Sequence, residues 1–123
     1  MIKANERKNE PFEWCFPKDK GTENPTVFTL QPTPGSKQAY LRYVKFSIYG
    51  RYDYDDWKTD KILNGIQKVS NYENEKGKIV TLTKPEEINE FIEKLTEIEI
   101  MLLLATLEDK ESLAYQQGVM EKN

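Results

Sequence analysis

The chain has 123 residues, of which 37% are hydrophobic, 11% are aromatic and 32% are charged, and its net charge is −3. This composition predicts one folded domain with a modest core. The acidic balance disfavours nucleic-acid binding by charge alone, because phosphate contacts need a basic surface. The absence of histidine removes the usual general base and the serine triad, and the single cysteine excludes an internal disulfide and the cysteine-rich zinc patterns.

The N-terminal region predicts a polar arm followed by a β-hairpin. Residues 1–11 are polar and lack the apolar segment of a signal peptide. Alternating aromatic side chains predict a strand over 12–16, and β-branched and aromatic residues predict a second strand over 26–30. The polar loop between them suits an antiparallel hairpin with a long, exposed connection.

Residues 37–49 fit both a helical and a strand period. A breaker containing proline and glycine precedes them, and Ser36 is a candidate N-cap. We therefore expect a helix, with a strand that runs to Gly50 as the alternative. The helical pattern uses Tyr40, Leu41, Val44 and Ile48, and the strand pattern uses Val44, Phe46 and Ile48.

Residues 55–70 predict a second helix, although Gly65 lowers its helix propensity by about 1 kcal/mol relative to alanine. A turn over 71–78 and a short third strand over 78–82 follow. The apolar stripe of this predicted helix comprises Trp57, Ile62, Leu63, Ile66 and Val69.

The C-terminal third predicts a long amphipathic helix that packs on the sheet. Thr83 and Glu86 match a capping box, with Pro85 in the first turn. A second Thr-x-x-Asp pattern, at Thr106 and Asp109, predicts a kink or a new helix to about residue 117. The apolar positions that recur in steps of three and four are Ile88, Phe91, Leu95, Ile98, Leu102 and Ala105.

The stretch IYGRYDYDDWKTD, residues 48–60, holds the densest group of reactive side chains. Its carboxylates suit Ca²⁺ or Mg²⁺, but their spacing does not follow the EF-hand loop. They also suit a helix start at about residue 55, where they would cap free N–H groups and interact with the helix dipole. Its aromatic side chains suit a protein contact, since Tyr and Trp are enriched at interface cores. The carboxylates are Asp53, Asp55, Asp56 and Asp60, and the aromatic residues are Tyr49, Tyr52, Tyr54 and Trp57.

Three other features have a structural and a functional interpretation. Cys15 lies in an aromatic strand without a histidine to activate it, so we expect a structural role. LRYVKF (41–46) mixes basic and aromatic residues, as single-strand nucleic-acid binders do, but an amphipathic core helix is the preferred interpretation. The apolar surface of 88–107 fits either a core or an oligomer seam. We add Trp14, Met101 and Leu104 to the contact candidates.

The order of these pieces resembles small accessory proteins of tailed bacteriophages, similar to tail-assembly-chaperone-like proteins. The resemblance spans most of the chain and includes GIQKVSNYENEKGKIV (65–80) and the apolar helix after Glu86. It implies a non-enzymatic role in virion structure or assembly, with copies of the same chain or other virion proteins as partners. The residues that carry it are Gly65, Val69, Asn71, Tyr72, Glu73, Gly77, Lys78 and Glu86.

We therefore predict one α+β domain over 1–123, with an N-terminal β-hairpin, two middle helices, a short third strand, a long C-terminal helix on the sheet and a polar tail at 118–123. The predicted function is a protein-interaction module of a tailed-phage virion, without cofactor, metal, nucleic-acid or membrane partner, and with a homo-oligomer as one form. Its expected location is the host cytoplasm during assembly, or the virion. The alternatives are an inhibitor that binds a host protein through an acidic aromatic surface, and a metal-binding or hydrolytic protein that uses Asp53–Asp60.

Overall fold

The computed structural model describes residues 1–3 and 9–121, which form an α+β fold with a four-stranded antiparallel sheet and five helices. Residues 4–8 of the predicted arm at 1–11 and residues 122–123 of the predicted tail at 118–123 lie outside the described residues. The strands, in chain order, are β1 (Phe12–Trp14), β2 (Val27–Leu30), β3 (Ile66–Glu73) and β4 (Ile79–Leu82). The helices are α1 (Gly35–Tyr49), α2 (Tyr54–Gly65), α3 (Pro85–Ile92), α4 (Glu97–Glu108) and α5 (Leu113–Gly118).

The sheet runs in the order β1-β2-β3-β4, and one row of buried side chains crosses all four strands. Trp14 pairs with Phe28, Phe28 with Val69, and Val69 with Leu82. All four are buried, so this row forms the floor of the core on which α2, α3 and α4 pack. The predicted hairpin of the first two strands is confirmed, and the helix is the correct choice over 37–49.

The predicted helix over 55–70 is wrong beyond Gly65, because Ile66 begins β3. Ile66 and Val69 are three residues apart, and both are buried. In a regular strand two such residues point to opposite faces. A register shift between β2 and β3 at Thr29 and Leu30 places both on the core side. This register shift is a β-bulge, and it gives the buried residues of β3 a three-residue spacing that is typical of a helix.

The predicted long C-terminal helix is also wrong, because residues 93–96 divide it into α3 and α4. Thr96 begins α4 with a capping box: its Oγ1 accepts from the Glu99 N–H (3.2 Å), and its own N–H donates to Glu99 Oε1 (2.9 Å). The predicted cap at Thr83 is displaced by one residue, since Lys84 occupies the N-cap position and its backbone N–H donates to Glu87 Oε1. The apolar residues that recur in steps of three and four in the sequence therefore belong to two separate helices.

The described C-terminal residues cover the outer side of β1. Cys15 N–H donates to the Gly118 carbonyl (2.8 Å), and Met120 N–H donates to the Glu13 carbonyl (2.9 Å). The Trp14 indole N–H donates to the carbonyl of Ala114 (2.9 Å), one hundred residues later. Residues 118–120 are thus docked on the sheet, which differs from the predicted polar tail.

Candidate protein-interaction surface

Helix α1 has no buried residue, whereas each of the other four helices of the described chain buries at least two. It packs mainly against α2. The predicted core role of its apolar stripe is therefore wrong, because the helix lies beside α2 and away from the sheet. Its exposed large hydrophobic residues, with their exposed fractions, are Tyr40 (65%), Tyr43 (70%), Phe46 (58%), Ile48 (66%) and Tyr49 (69%).

A polar bridge attaches α1 to α2. Asp60 of α2 is 5% exposed, and its carboxylate lies 2.7 Å from Lys45 Nζ of α1. The same carboxylate accepts from the Tyr52 hydroxyl (3.0 Å), which in turn accepts from the Gln38 side-chain amide (3.0 Å). A buried carboxylate needs such partners, since its desolvation is costly. The bridge thus fixes how α1 lies on α2.

Tyr52 lies inside this bridge, between the two helices. Its burial, and then its hydrogen bond to Asp60, raise the pKa of the phenol above its ordinary value. The neutral phenol is the form that donates to the carboxylate, so the Tyr52–Asp60 hydrogen bond of the bridge depends on a protonated Tyr52. Tyr52 was predicted as a contact residue, and the structure gives it this internal partner.

The turn into α2 is held by a reciprocal capping box. The Asp56 N–H donates to Asp53 Oδ1 (3.0 Å), and the Asp53 N–H donates to Asp56 Oδ2 (3.2 Å). The backbone hydrogen bond from Asp56 lowers the pKa of Asp53, and the nearby Arg51 lowers it further. Helix capping by this acidic segment was expected, with Asp55 or Asp56 as the cap; the N-cap is instead Asp53.

A groove of about 470 Å³ separates the N-terminal half of α1 from the start of α2. Ala39 and Arg42 form part of its α1 wall, and they also line an adjoining shallow concavity with Tyr43 and Phe46. The two depressions therefore form one continuous surface, which we call the α1–α2 surface. The residues that line the groove are Gly35, Gln38, Ala39, Arg42, Tyr52, Asp53, Tyr54 and Trp57.

Tyr54 and Trp57 form the aromatic wall of the groove on α2. Their ring centroids lie 5.6 Å apart, and Trp57 packs partly against the core cluster. Lys58 Nζ lies 5.6 Å from the centroid of the Tyr54 ring, and Lys61 Nζ lies 5.2 Å from that of Trp57. These cation–π contacts orient both rings. Tyr54 remains 63% exposed, which leaves it available to a partner.

The contact candidates from the sequence divide into three groups. Tyr54, Trp57 and Tyr52 meet at the groove, and Tyr49 is exposed at the end of α1. Met101 is exposed on α4, apart from these residues. Trp14 and Leu104 are buried, so neither belongs to an exposed surface of this chain.

Three exposed aromatic residues of α1 were missed as contact residues. Tyr40, Tyr43 and Phe46 follow at intervals of three, which places them along one side of a helix. The available signal was the spread of apolar residues: Leu41 and Val44 lie on another side of the same helix. A helix that is apolar on more than one side exceeds what packing against a single neighbour can cover.

The aspartates of this segment are engaged in capping and in the bridge, except Asp55, which lies 3.6 Å from Lys58. Over residues 1–3 and 9–121, no group of three or more histidine, cysteine or acidic side chains is placed to hold a metal ion. In the same part of the chain, no helix has the length and apolar character that a membrane crossing needs.

Comparison of the chain with protein-family models, with curated proteins and with solved structures finds no match in any of the three.

Proposed function

We propose that this chain is a non-enzymatic protein-interaction module, and that it serves as a structural or assembly component of a tailed-phage virion. The observation that carries the proposal is α1, a helix of fifteen residues that buries none of them and exposes four aromatic rings. The phage context comes from the resemblance of the sequence to tail-assembly-chaperone-like proteins. Such a component would act in the host cytoplasm during assembly or in the virion.

The exposed area of α1 supports a contact role. With roughly 200 Å² for a complete aromatic side chain, the four rings of α1 expose roughly 500 Å². Contiguous apolar patches of a few hundred Å² on soluble proteins commonly mark interaction sites. Aromatic residues also give a large contact area at low cost in side-chain entropy. Helix α1 therefore has both the exposed area and the residue types of an interface element.

The fold supports the same role, because α1 lies outside the core. The core packs the sheet against α2, α3 and α4, and α1 contributes no buried residue to it. A helix of this length is only marginally stable in water unless a face of it is packed. The polar bridge to Asp60 holds α1 in place, and a partner would cover its rings.

Site-specific photocrosslinking in the natural host tests this proposal. A photoreactive phenylalanine analogue replaces Tyr43, and the matched control carries it at Lys68, which is exposed on β3. We expect crosslinks from position 43 to virion proteins or to a second copy of the chain. Crosslinks to a host enzyme would instead favour the inhibitor alternative. If position 43 gives no product beyond that of position 68, the proposal fails.

A further inference from the structure

We propose that the partner on the α1–α2 surface is a second copy of this chain, bound in a two-fold symmetric dimer. This inference rests on the proposed function and names the partner of the same surface. A two-fold interface uses one patch on both copies, so the patch must be complementary to itself. The charges, the shape and the area of the α1–α2 surface each meet this condition.

The charges of the surface are divided between its two helices. Outside the polar bridge, helix α1 carries Lys37 and Arg42 and no acidic residue, whereas the first turn of α2 is acidic and the α2 cations Lys58 and Lys61 lie over aromatic rings. Among the described residues, neither Arg42 nor Asp53 forms an ion pair within 4 Å. Both line the groove. A two-fold axis through the groove would bring Arg42 of each copy to Asp53 of the other, giving two equivalent ion pairs.

The shape of the surface alternates between a ridge and a groove. Tyr43 and Phe46, which line the shallow concavity, are 70% and 58% exposed and form the ridge, and the adjoining groove has Tyr54 and Trp57 on its α2 wall. Under the same two-fold operation, the ridge of one copy enters the groove of the other. Apolar anchors would then occupy the centre of the interface, with the ion pairs beside them.

The exposed area fits a small dimer contact. The rings of Tyr43, Phe46 and Tyr54, which line the surface, expose roughly 400 Å², about half of the 800 Å² per partner that a standard interface buries. The walls of the groove supply further area. A contact here covers the exposed rings of Tyr43, Phe46 and Tyr54, and it packs a face of α1 that the fold of the monomer leaves unpacked.

Sedimentation equilibrium of the purified chain between about 10 µM and about 500 µM tests the proposal over the Kd range of moderate and weak interfaces. We expect wild type to approach twice the chain mass of 14.5 kDa. Tyr43→Ala with Phe46→Ala should raise the dimer Kd at least tenfold, as the loss of central aromatic anchors does. Neither side chain is buried, and far-UV circular dichroism verifies that the variant is folded.

A double-mutant cycle tests the ion pair. Arg42→Glu should raise the Kd about tenfold or more by repulsion from Asp53 of the other copy. Asp53→Asn retains an N-cap side chain and removes the charge, so the double variant should dimerise more tightly than Arg42→Glu alone. Lys68→Glu makes the same change in net charge outside the surface and should leave the Kd unchanged.

A wild type that stays monomeric at both concentrations overturns the dimer. So does a dimer whose Kd is unaffected by the Tyr43/Phe46 change, or a cycle in which the two charge effects simply add. These failures are separate from that of the proposed function. A monomeric chain whose position 43 still crosslinks to another virion protein would refute self-association alone.

Discussion

Replacing Gly118 by alanine should strongly destabilise the fold, although the substitution adds only one methyl group. The new Cβ would lie 2.1 Å from Trp14 Nε1 and 2.4 Å from the carbonyl oxygen of Cys15. Trp14 and Cys15 are completely buried, and the indole N–H donates to the Ala114 carbonyl (2.9 Å). The methyl group therefore has no space unless the tryptophan or the C-terminal backbone moves.

The magnitude follows from two costs. Overpacking of a filled site costs about 1–3 kcal/mol, and a buried donor that loses its acceptor costs about 1–3 kcal/mol. We expect Gly118→Ala to lower the free energy of unfolding by about 2–6 kcal/mol, the sum of those two ranges. Urea unfolding followed by far-UV circular dichroism measures this loss without relying on the fluorescence of the displaced tryptophan.

Gly35→Ala is the matched control for this prediction. Gly35 is the first residue of α1, and an added Cβ meets no atom within 4 Å. Alanine there should leave the stability within about 0.5 kcal/mol of wild type or raise it slightly. If Gly118→Ala unfolds within about 0.5 kcal/mol of wild type, the docking of the C-terminal residues on Trp14 is wrong.

Three further predictions concern α2 and its neighbours. Asp60→Asn removes the ion pair that attaches α1, so hydrogen exchange of the α1 amides should accelerate about 5–30-fold, the factor for a loss of about 1–2 kcal/mol. The control Asp55→Asn should leave this exchange unchanged. Equal effects of the two substitutions would refute the bridge. Folding raises the pKa of Tyr52. The contribution of its protonated form to the free energy of unfolding is therefore complete below about pH 10, the ordinary pKa of tyrosine, and is lost as the pH rises through the folded-state pKa. Tyr52→Phe should therefore flatten the alkaline fall in urea midpoint, and an unchanged slope would contradict the assignment. Gly65→Ala should lower the free energy of unfolding by about 1–3 kcal/mol, because the new Cβ would lie 2.7 Å from Leu107 Cδ1. If the losses caused by Gly65→Ala and Leu107→Ala simply add in the double variant, that clash is excluded.

The parts of the fold that the sequence predicts correctly depend on local patterns. The alternating aromatic residues of β1 and the breaker before α1 act over a few residues, so both elements are recovered. The end of α2 is not recovered, because Ile66 pairs with Leu30, which belongs to a strand more than thirty residues earlier in the chain. Tertiary pairing there overrides a local period that favours a helix.

The candidate surface is predicted only in part, since burial depends on distant neighbours. Trp14 has the residue type of an interface anchor, but the C-terminal residues cover it. Tyr43 and Phe46 lie in a pattern typical of a core helix, but the sheet already packs against other helices and leaves α1 outside. Tyr54, a predicted contact residue, is exposed and follows the Asp53 cap that fixes the local turn; its contact role stays a prediction.

Hydrogen exchange of the α1 amides at two protein concentrations tests most directly whether α1 is the contact element of a dimer. A partner that binds only the docked helix stabilises it by mass action. We expect exchange of α1 to slow at least several-fold between about 10 µM and about 500 µM protein, and to be unaffected by concentration in the Tyr43→Ala/Phe46→Ala variant. Association through another face would not change the local opening of α1. Equal exchange of wild-type α1 at both concentrations would contradict the account.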